Sequence, residues 1–192
     1  MTHTKSSEWF GQHFNHLAPL LRQLHTHGSE LTGPVDITIA NGVAGRIGRR
    51  IADMLGIPTD SHQHTLKVVI SHNDDGLSWD RCFDEQHLFY STFTAVGTIE
   101  NGYWLETTGA IQLMLTVDIK HGGWYWRTLK ASFKGIPIPL WLLPGTHAYK
   151  VIENNAYRFY VGISVPLFGE VLSYSGLLKP HVNTPIHSQA AQ

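Results

Sequence analysis

Ile111-Gln112-Leu113-Met114-Leu115-Thr116-Val117-Asp118-Ile119 decides the fold class of this chain. Ile111, Leu113, Leu115, Val117 and Ile119 fall on one side of an extended backbone, and Gln112, Met114, Thr116 and Asp118 on the other. Such a period of two is a half-buried strand with one dry face. His121-Gly122-Gly123 then turns the chain into Trp124–Phe133. Working outward, the same pattern repeats. Upstream, His87–Ile99 and Tyr103–Thr107 flank Asn101-Gly102, and Leu66–His72 and Leu77–Phe83 flank Asp75-Gly76, both strong hairpin dipeptides. Downstream, Thr146–Ile152 and Tyr157–Val165 flank Asn154-Asn155, and a last strand runs from about Phe168 to Leu178. Consecutive strands joined by short turns are antiparallel neighbours, and a meander this long curls or closes to shorten its edges.

Before Thr65 the period is helical. Phe10, Phe14, Leu17, Leu21 and Leu24 form an apolar stripe over Glu8–His27, which Pro19 kinks or splits in two. Val35–Ala40 reads as a short strand. Val43, Ile47, Ile51 and Leu55 mark a second helix over Asn41–Gly56, with Asn41 as N-cap and Gly56 with Pro58 as its stop. The predicted fold is α+β and mainly β: a strongly curved antiparallel sheet or barrel of about eight or nine strands, with two N-terminal helices packed on it or plugging it. Residues 7–180 are expected to form a single globular domain, and 181–192, which lack periodicity, a flexible C-terminal tail.

Composition narrows the function. The 192 residues include 14 Lys+Arg against 15 Asp+Glu, for a formal net charge of -1. That balance gives no electrostatic case for nucleic acid or anionic lipid. Hydrophobic content of 42% excludes a disordered chain. Cys82 is the lone cysteine, which precludes an internal disulfide and fits a reducing compartment. Met1–Phe10 lacks the apolar stretch of a secretory signal, and Ile136–Pro144, the most apolar run, has nine residues of which three are proline. A membrane helix needs about 20 apolar residues. A cytoplasmic location without a transmembrane segment is therefore expected.

Familiar catalytic motifs fail one by one. Gly42, Gly45 and Gly48 follow a strand but are not spaced as G-x-G-x-x-G, and no βαβ units follow; they read as close packing contacts of a helix. Arg46, Arg49 and Arg50 read as a solvated helix face rather than a phosphate site. His13/His16, His25/His27 and His62/His64 lack the H-E-x-x-H or cysteine spacing of a zinc site, so no metal and no cofactor are expected. No serine stands in G-x-S-x-G, and Cys82, within an apparent strand, reads as a small core hydrophobe.

The aromatic residues say more. Trp124 and Trp126 share one face of their strand, while Tyr125, Arg127, Leu129, Ala131 and Phe133 share the other. An arginine on a dry face needs a partner or a ligand. Arg158 and Tyr160 likewise share a face. A curved sheet lined this way would hold a small, mostly apolar ligand in its cavity, with Arg127, Arg158, Tyr160 and Trp126 as lining and Arg81 and Trp79 as further candidates. The alternative is a solid core with arginines snorkelling at its rim.

The chain resembles a bacterial family catalogued as domain of unknown function 4166, from about His25 to Pro180. The resemblance is carried by His25 with Gly28, Gly33, Trp79-x-Arg81-x-Phe83, Glu100 with Gly102, Gly123, Gly135-Ile136-Pro137-Ile138-Pro139 with Leu143-Pro144, and Pro166-Leu167-Phe168-Gly169 through Tyr174-Ser175-Gly176. It implies a domain that stands alone or is appended to dehydrogenase-like or membrane domains, and it carries over no catalytic residues. The helix near Gly42 is richer in Gly and Arg than the resemblance implies.

Two further function classes are open at this stage. One is a small-substrate enzyme using acid–base chemistry, for which His87, His121 and Glu106 are the candidates. The other is an interaction module that dimerises or docks on a partner through Ile136–Pro144, an extended segment with Trp141 at its centre.

Overall fold

A computed structural model describes residues 4–74, 76–142 and 144–182. Eleven strands are present among them: β1 Ser29–Ile39, β2 Gln63–His72, β3 Gly76–Phe83, β4 His87–Val96, β5 Tyr103–Thr108, β6 Ile111–Lys120, β7 Gly123–Phe133, β8 Ile136–Ile138, β9 Gly145–Glu153, β10 Ala156–Val165 and β11 Gly169–Val182. All pairings are antiparallel. The order β6-β5-β4-β3-β2-β1-β11-β10-β9-β7 is closed by β6 against β7, giving a ten-stranded barrel with β8 added to the end of β7. The expected antiparallel barrel is present, with more strands than the predicted number. The added member is β8, whose three residues, Ile136-Pro137-Ile138, are too few to show a period. β1 also starts earlier than predicted and runs through Gly33-Pro34, pairing with both β2 and β11. The hairpin expected around Asp75-Gly76 joins β2 to β3, with Asp75 itself outside the described residues. Residues 183–192 of the expected tail also lie outside them, whereas His181 and Val182 pair in β11.

The N-terminal helical segment is three pieces: α1 (Lys5–Phe10), a 3-10 turn (Gly11–His16) and α2 (Pro19–His27). Pro19 opens α2 at a position where its missing N–H costs nothing. These pieces plug one end of the barrel. Trp9, Phe10, Leu17, Leu21 and Leu24 are fully buried there. Trp9 meets Trp104 at 5.6 Å between rings, and Phe10 meets Trp124 at 4.7 Å. The Ala18 amide donates to the Gly122 carbonyl (2.9 Å), and the Trp9 indole donates to the Val96 carbonyl (3.2 Å), pinning the plug to the rim.

α3 (Gly42–Met54) lies at the opposite end, against the start of β11 and the end of β1. Asn41 has extended N-cap geometry, but its side chain makes no capping hydrogen bond. Gly45 and Gly48 are buried, and a Cβ on Gly48 would stand 2.1 Å from the Val171 carbonyl oxygen. These glycines let the helix backbone press onto the barrel, in line with the packing reading of their spacing.

β7 carries a bulge that corrects the face assignment made from sequence. Leu115 pairs with Thr128 and Met114 with Lys130, leaving Leu129 as the extra residue. The bulge shifts the alternation by one position. Ala131 and Phe133 therefore join Trp124 and Trp126 on the inner face, and Arg127 and Tyr125 stand on the outer one. Cys82, expected in the core, is half-buried and pairs with Lys67 and Leu88 on the outer side of β3.

Candidate functional site

Above the plug the barrel encloses a cavity of about 820 Å³. Alternation delivers its wall, whose inward positions are mostly apolar or aromatic. Its floor includes Trp79, Trp126, Lys150 and Tyr157; Ile51, Met54 and Leu55 of α3 cover part of the mouth. The barrel wall is also open at one side. β7 and β9 pair only where Trp124–Trp126 meet Ala148–Lys150; beyond that point β7 continues with β8 instead. The space runs out through this gap to Arg127, His147, Tyr149 and Tyr160.

Two polar groups of residues break the apolar lining. On one wall, Arg81 donates from Nη1 to the Ser91 hydroxyl (3.0 Å), which in turn hydrogen-bonds the Thr108 hydroxyl (2.8 Å). The guanidinium stands 4.9 Å from the Phe89 ring centre and 5.4 Å from that of Trp79. Among the described residues no carboxylate closes an ion pair with it, and most of its N–H donors are unclaimed. Glu106 shares this wall. Burial pushes its carboxyl above the usual range, opposed by the Arg81 charge and by the Ser91 and Thr108 hydroxyls.

On the floor, Lys150 is 2% exposed. Its Nζ donates to His25 Nε2 at 2.7 Å. His25 Nδ1 lies 2.9 Å from the Leu21 carbonyl oxygen, which can only accept; Nδ1 therefore carries the proton and Nε2 offers a lone pair to the lysine. Three indoles surround the Lys150 nitrogen, with ring centres at 3.7 Å (Trp124), 4.0 Å (Trp79) and 5.5 Å (Trp126). Burial and the like charge of Arg81 hold Lys150 well below the ordinary lysine range. Burial, then the Lys150 charge, hold His25 well below the ordinary histidine range. Burial also raises the phenols of Tyr157 and Tyr174.

The sequence-predicted lining residues divide by face. Trp79, Arg81 and Trp126 point into the cavity. Arg127 stands at the side gap and pairs with Asp118 (3.3 Å), and Tyr160 stands there too, hydrogen-bonded to Glu170 and stacked on Tyr149. Arg158 lies on the outer face, paired with Glu153 at 2.7 Å. Of the enzyme candidates, His121 is exposed in the β6–β7 turn at the plug end and Glu106 faces the interior, while the side chain of His87, at the start of β4, lies outside the described residues. Of Ile136–Pro144, Ile136 and Trp141 are exposed by 69% and 74%. Lys150 was not singled out from sequence, and His25 only as half of an H-x-H pair and as a carrier of the family resemblance, yet both carried a signal. Lys150 alternates with Ala148 and Ile152, and His25 falls within the stripe of Leu21 and Leu24.

None of the curated proteins or solved structures compared with the chain matches it. The family described as Domain of unknown function (DUF4166) matches residues 17–178, from just before α2 into the last part of β11. No helix among the described residues is long and apolar enough to cross a membrane. The match spans α2, the closed barrel and both polar groups of the cavity, and the chain belongs to the DUF4166 family.

Proposed function

We propose that this domain binds a small, mostly apolar ligand inside its barrel, with a polar, acidic end of the ligand held by Arg81. The observation that carries this is the Arg81 guanidinium, which closes no ion pair among the described residues although Glu106 shares its wall, in a mostly apolar cavity of about 820 Å³. Natural ligand pockets fall at about 300–1,000 Å³ and combine apolar walls with a few placed polar groups. A guanidinium whose one side-chain hydrogen bond among the described residues goes to a hydroxyl keeps donors for a carboxylate or similar anion. Ser91 and Thr108 orient that face, and Trp79 and Trp126 offer flat surface to the apolar body.

Native mass spectrometry of the full chain tests it, first as purified and then with decanoate as probe. A one-to-one adduct that disappears on denaturation, and that competes with anilinonaphthalenesulfonate fluorescence, supports the reading. No adduct and no displacement at millimolar decanoate counts against it.

A second reading, docking to a second copy or to a partner protein through Ile136–Pro144, is favoured by the exposure of Ile136 and Trp141. Light scattering across a concentration series, for the natural chain and for Trp141→Ser, tests the self-association form. A monomer at every concentration in both chains removes it.

A further inference from the structure

We propose that Lys150 is a carbonyl-reactive amine at the cavity floor, which forms an imine with an apolar aldehyde or ketone. This rests on the reading that the cavity admits an apolar ligand, and it names the chemical class.

The floor has two sides. Lys150, Trp79 and Trp126 belong to the cavity wall, while His25 and Trp124 close the nitrogen from the plug side. The lysine thus bridges the ligand space and a hydrogen-bond acceptor of known tautomer. Its six fellow lysines are all exposed. An ammonium here would have no counter-ion: among the described residues no carboxylate pairs with Lys150, and Arg81 contributes a like charge. Desolvating an ion costs several kcal/mol even after relaxation, whereas the indole faces return about 2 kcal/mol for a desolvated contact. The neutral amine keeps its bond to His25 Nε2 and avoids that cost. A lysine freed of its proton by burial and a neighbouring cation is the form that attacks carbonyl carbon. Methionine or leucine would fill the same volume without the polar atom.

The chemistry closes without any outside reagent. The Nζ lone pair adds to the carbonyl carbon, and the carbonyl π pair moves to oxygen. His25 Nε2 takes one Nζ proton from the adduct, and the alkoxide takes a proton from water, giving a carbinolamine hydroxyl. The nitrogen lone pair then forms C=N as the C–O bond breaks; the hydroxyl leaves as water with a second proton from solvent, and the remaining Nζ proton and the one held by His25 return to solvent, so two protons are taken up and two released. The net change is amine plus carbonyl to imine plus water, with no oxidation or reduction.

The test uses the full natural chain at pH 7 with cinnamaldehyde as probe, cyanoborohydride to reduce any imine, and peptide mapping by mass spectrometry. An exposed lysine of pKa about 10.4 is amine in only about 0.04% of molecules at that pH. The expected result is a reduced adduct on Lys150, formed at least about tenfold faster than on any exposed lysine and suppressed by excess cinnamyl alcohol. Labelling of exposed lysines with Lys150 untouched overturns the proposal, as does labelling of Lys150 that the alcohol does not slow. Displacement of anilinonaphthalenesulfonate by cinnamyl alcohol, measured in parallel, reports on the cavity alone. A cavity that takes the alcohol while Lys150 stays unmodified therefore rejects the imine and leaves the binding reading intact.

Discussion

His25 and Lys150 share one hydrogen bond inside a wall of indoles, and each depends on the other. Replacing Lys150 with methionine removes a buried amine but orphans His25 Nε2. An unsatisfied buried acceptor costs about 1–3 kcal/mol, whereas keeping a lysine deprotonated at pH 7 costs the fold about 1.4 kcal/mol for each unit up to the ordinary value of about 10.4. Lys150→Met should therefore be more stable than the natural chain in urea unfolding at pH 7. A loss of about 3 kcal/mol or more would mean a caged ammonium that stabilises the fold. The pair also sets an acid limit. His25 is held below its ordinary value by burial first and by Lys150, Arg81 stands beyond the lysine, and His72 adds a further like charge. Below about pH 6.5 the unfolded chain binds a proton at this position that the folded chain refuses, so stability falls as pH falls, by up to about 1.4 kcal/mol per unit. Glu106 acts oppositely: with its carboxyl raised by burial, the folded chain keeps a proton that the unfolded chain loses above about pH 4.3, so its contribution falls as pH rises. Unfolding free energy measured from pH 7 to 5 should drop in the natural chain and drop less in His25→Gln. Equal slopes in the two would assign the acid loss elsewhere.

α3 illustrates how an element is positioned against its own propensity. Glycine in a helix interior costs about 1 kcal/mol relative to alanine. Alanine should therefore stabilise α3, yet a Cβ at Gly48 would stand 2.1 Å from the Val171 carbonyl oxygen of β11. Gly48→Ala is expected to destabilise by about 1–3 kcal/mol, since overpacking against backbone forces the helix outward. Thermal unfolding checks the sign; a stabilised variant would mean that α3 rides freely over the barrel. The element-scale reading of β7 shows the same dependence on a neighbour. The sequence places Arg127 with Ala131 and Phe133, and strict alternation supports that grouping up to Thr128. The bulge at Leu129 ends it, because β6 offers one residue where β7 has two. A bulge is a property of a strand pair, and Trp124–Phe133 alone does not declare it.

The whole molecule is a closed sheet stoppered at one end by aromatic side chains and open at the other and at one side. Its closure between β6 and β7 pairs most of the sheet edge that a curved but open form would leave; an edge persists at β8 and at the start of β9, beside the side gap. An apolar anion that enters only the folded barrel must stabilise it by mass action. Decanoate at about 100 times its dissociation constant should add about 2.7 kcal/mol to unfolding, and Arg81→Met should weaken that gain while Arg158→Met leaves it unchanged. The contrast follows from placement: Arg81 is in the cavity wall, and Arg158 is held by Glu153 on the outer face. Equal losses from both variants would show that decanoate reads surface charge and not the cavity.

What the sequence by itself determined is what local pattern can carry. A period of two between short turns imposes antiparallel neighbours; a helical stripe broken at Pro19 imposes a split N-terminal segment; spaced glycines impose close helix packing. Trp79, Arg81 and Trp126 were legible as lining because aromatic and cationic residues on an apolar strand face need an explanation that burial alone does not supply. The tertiary structure alone decided which face is inside, where the wall opens, and that His25 and Lys150 meet. Those two residues are 125 positions apart, on a plug helix and on β9. No spacing rule spans that distance. Their contact exists because the closed barrel brings β9 against β7 and the plug fills the end where those strands converge, and only there does a lysine lose both water and counter-ion.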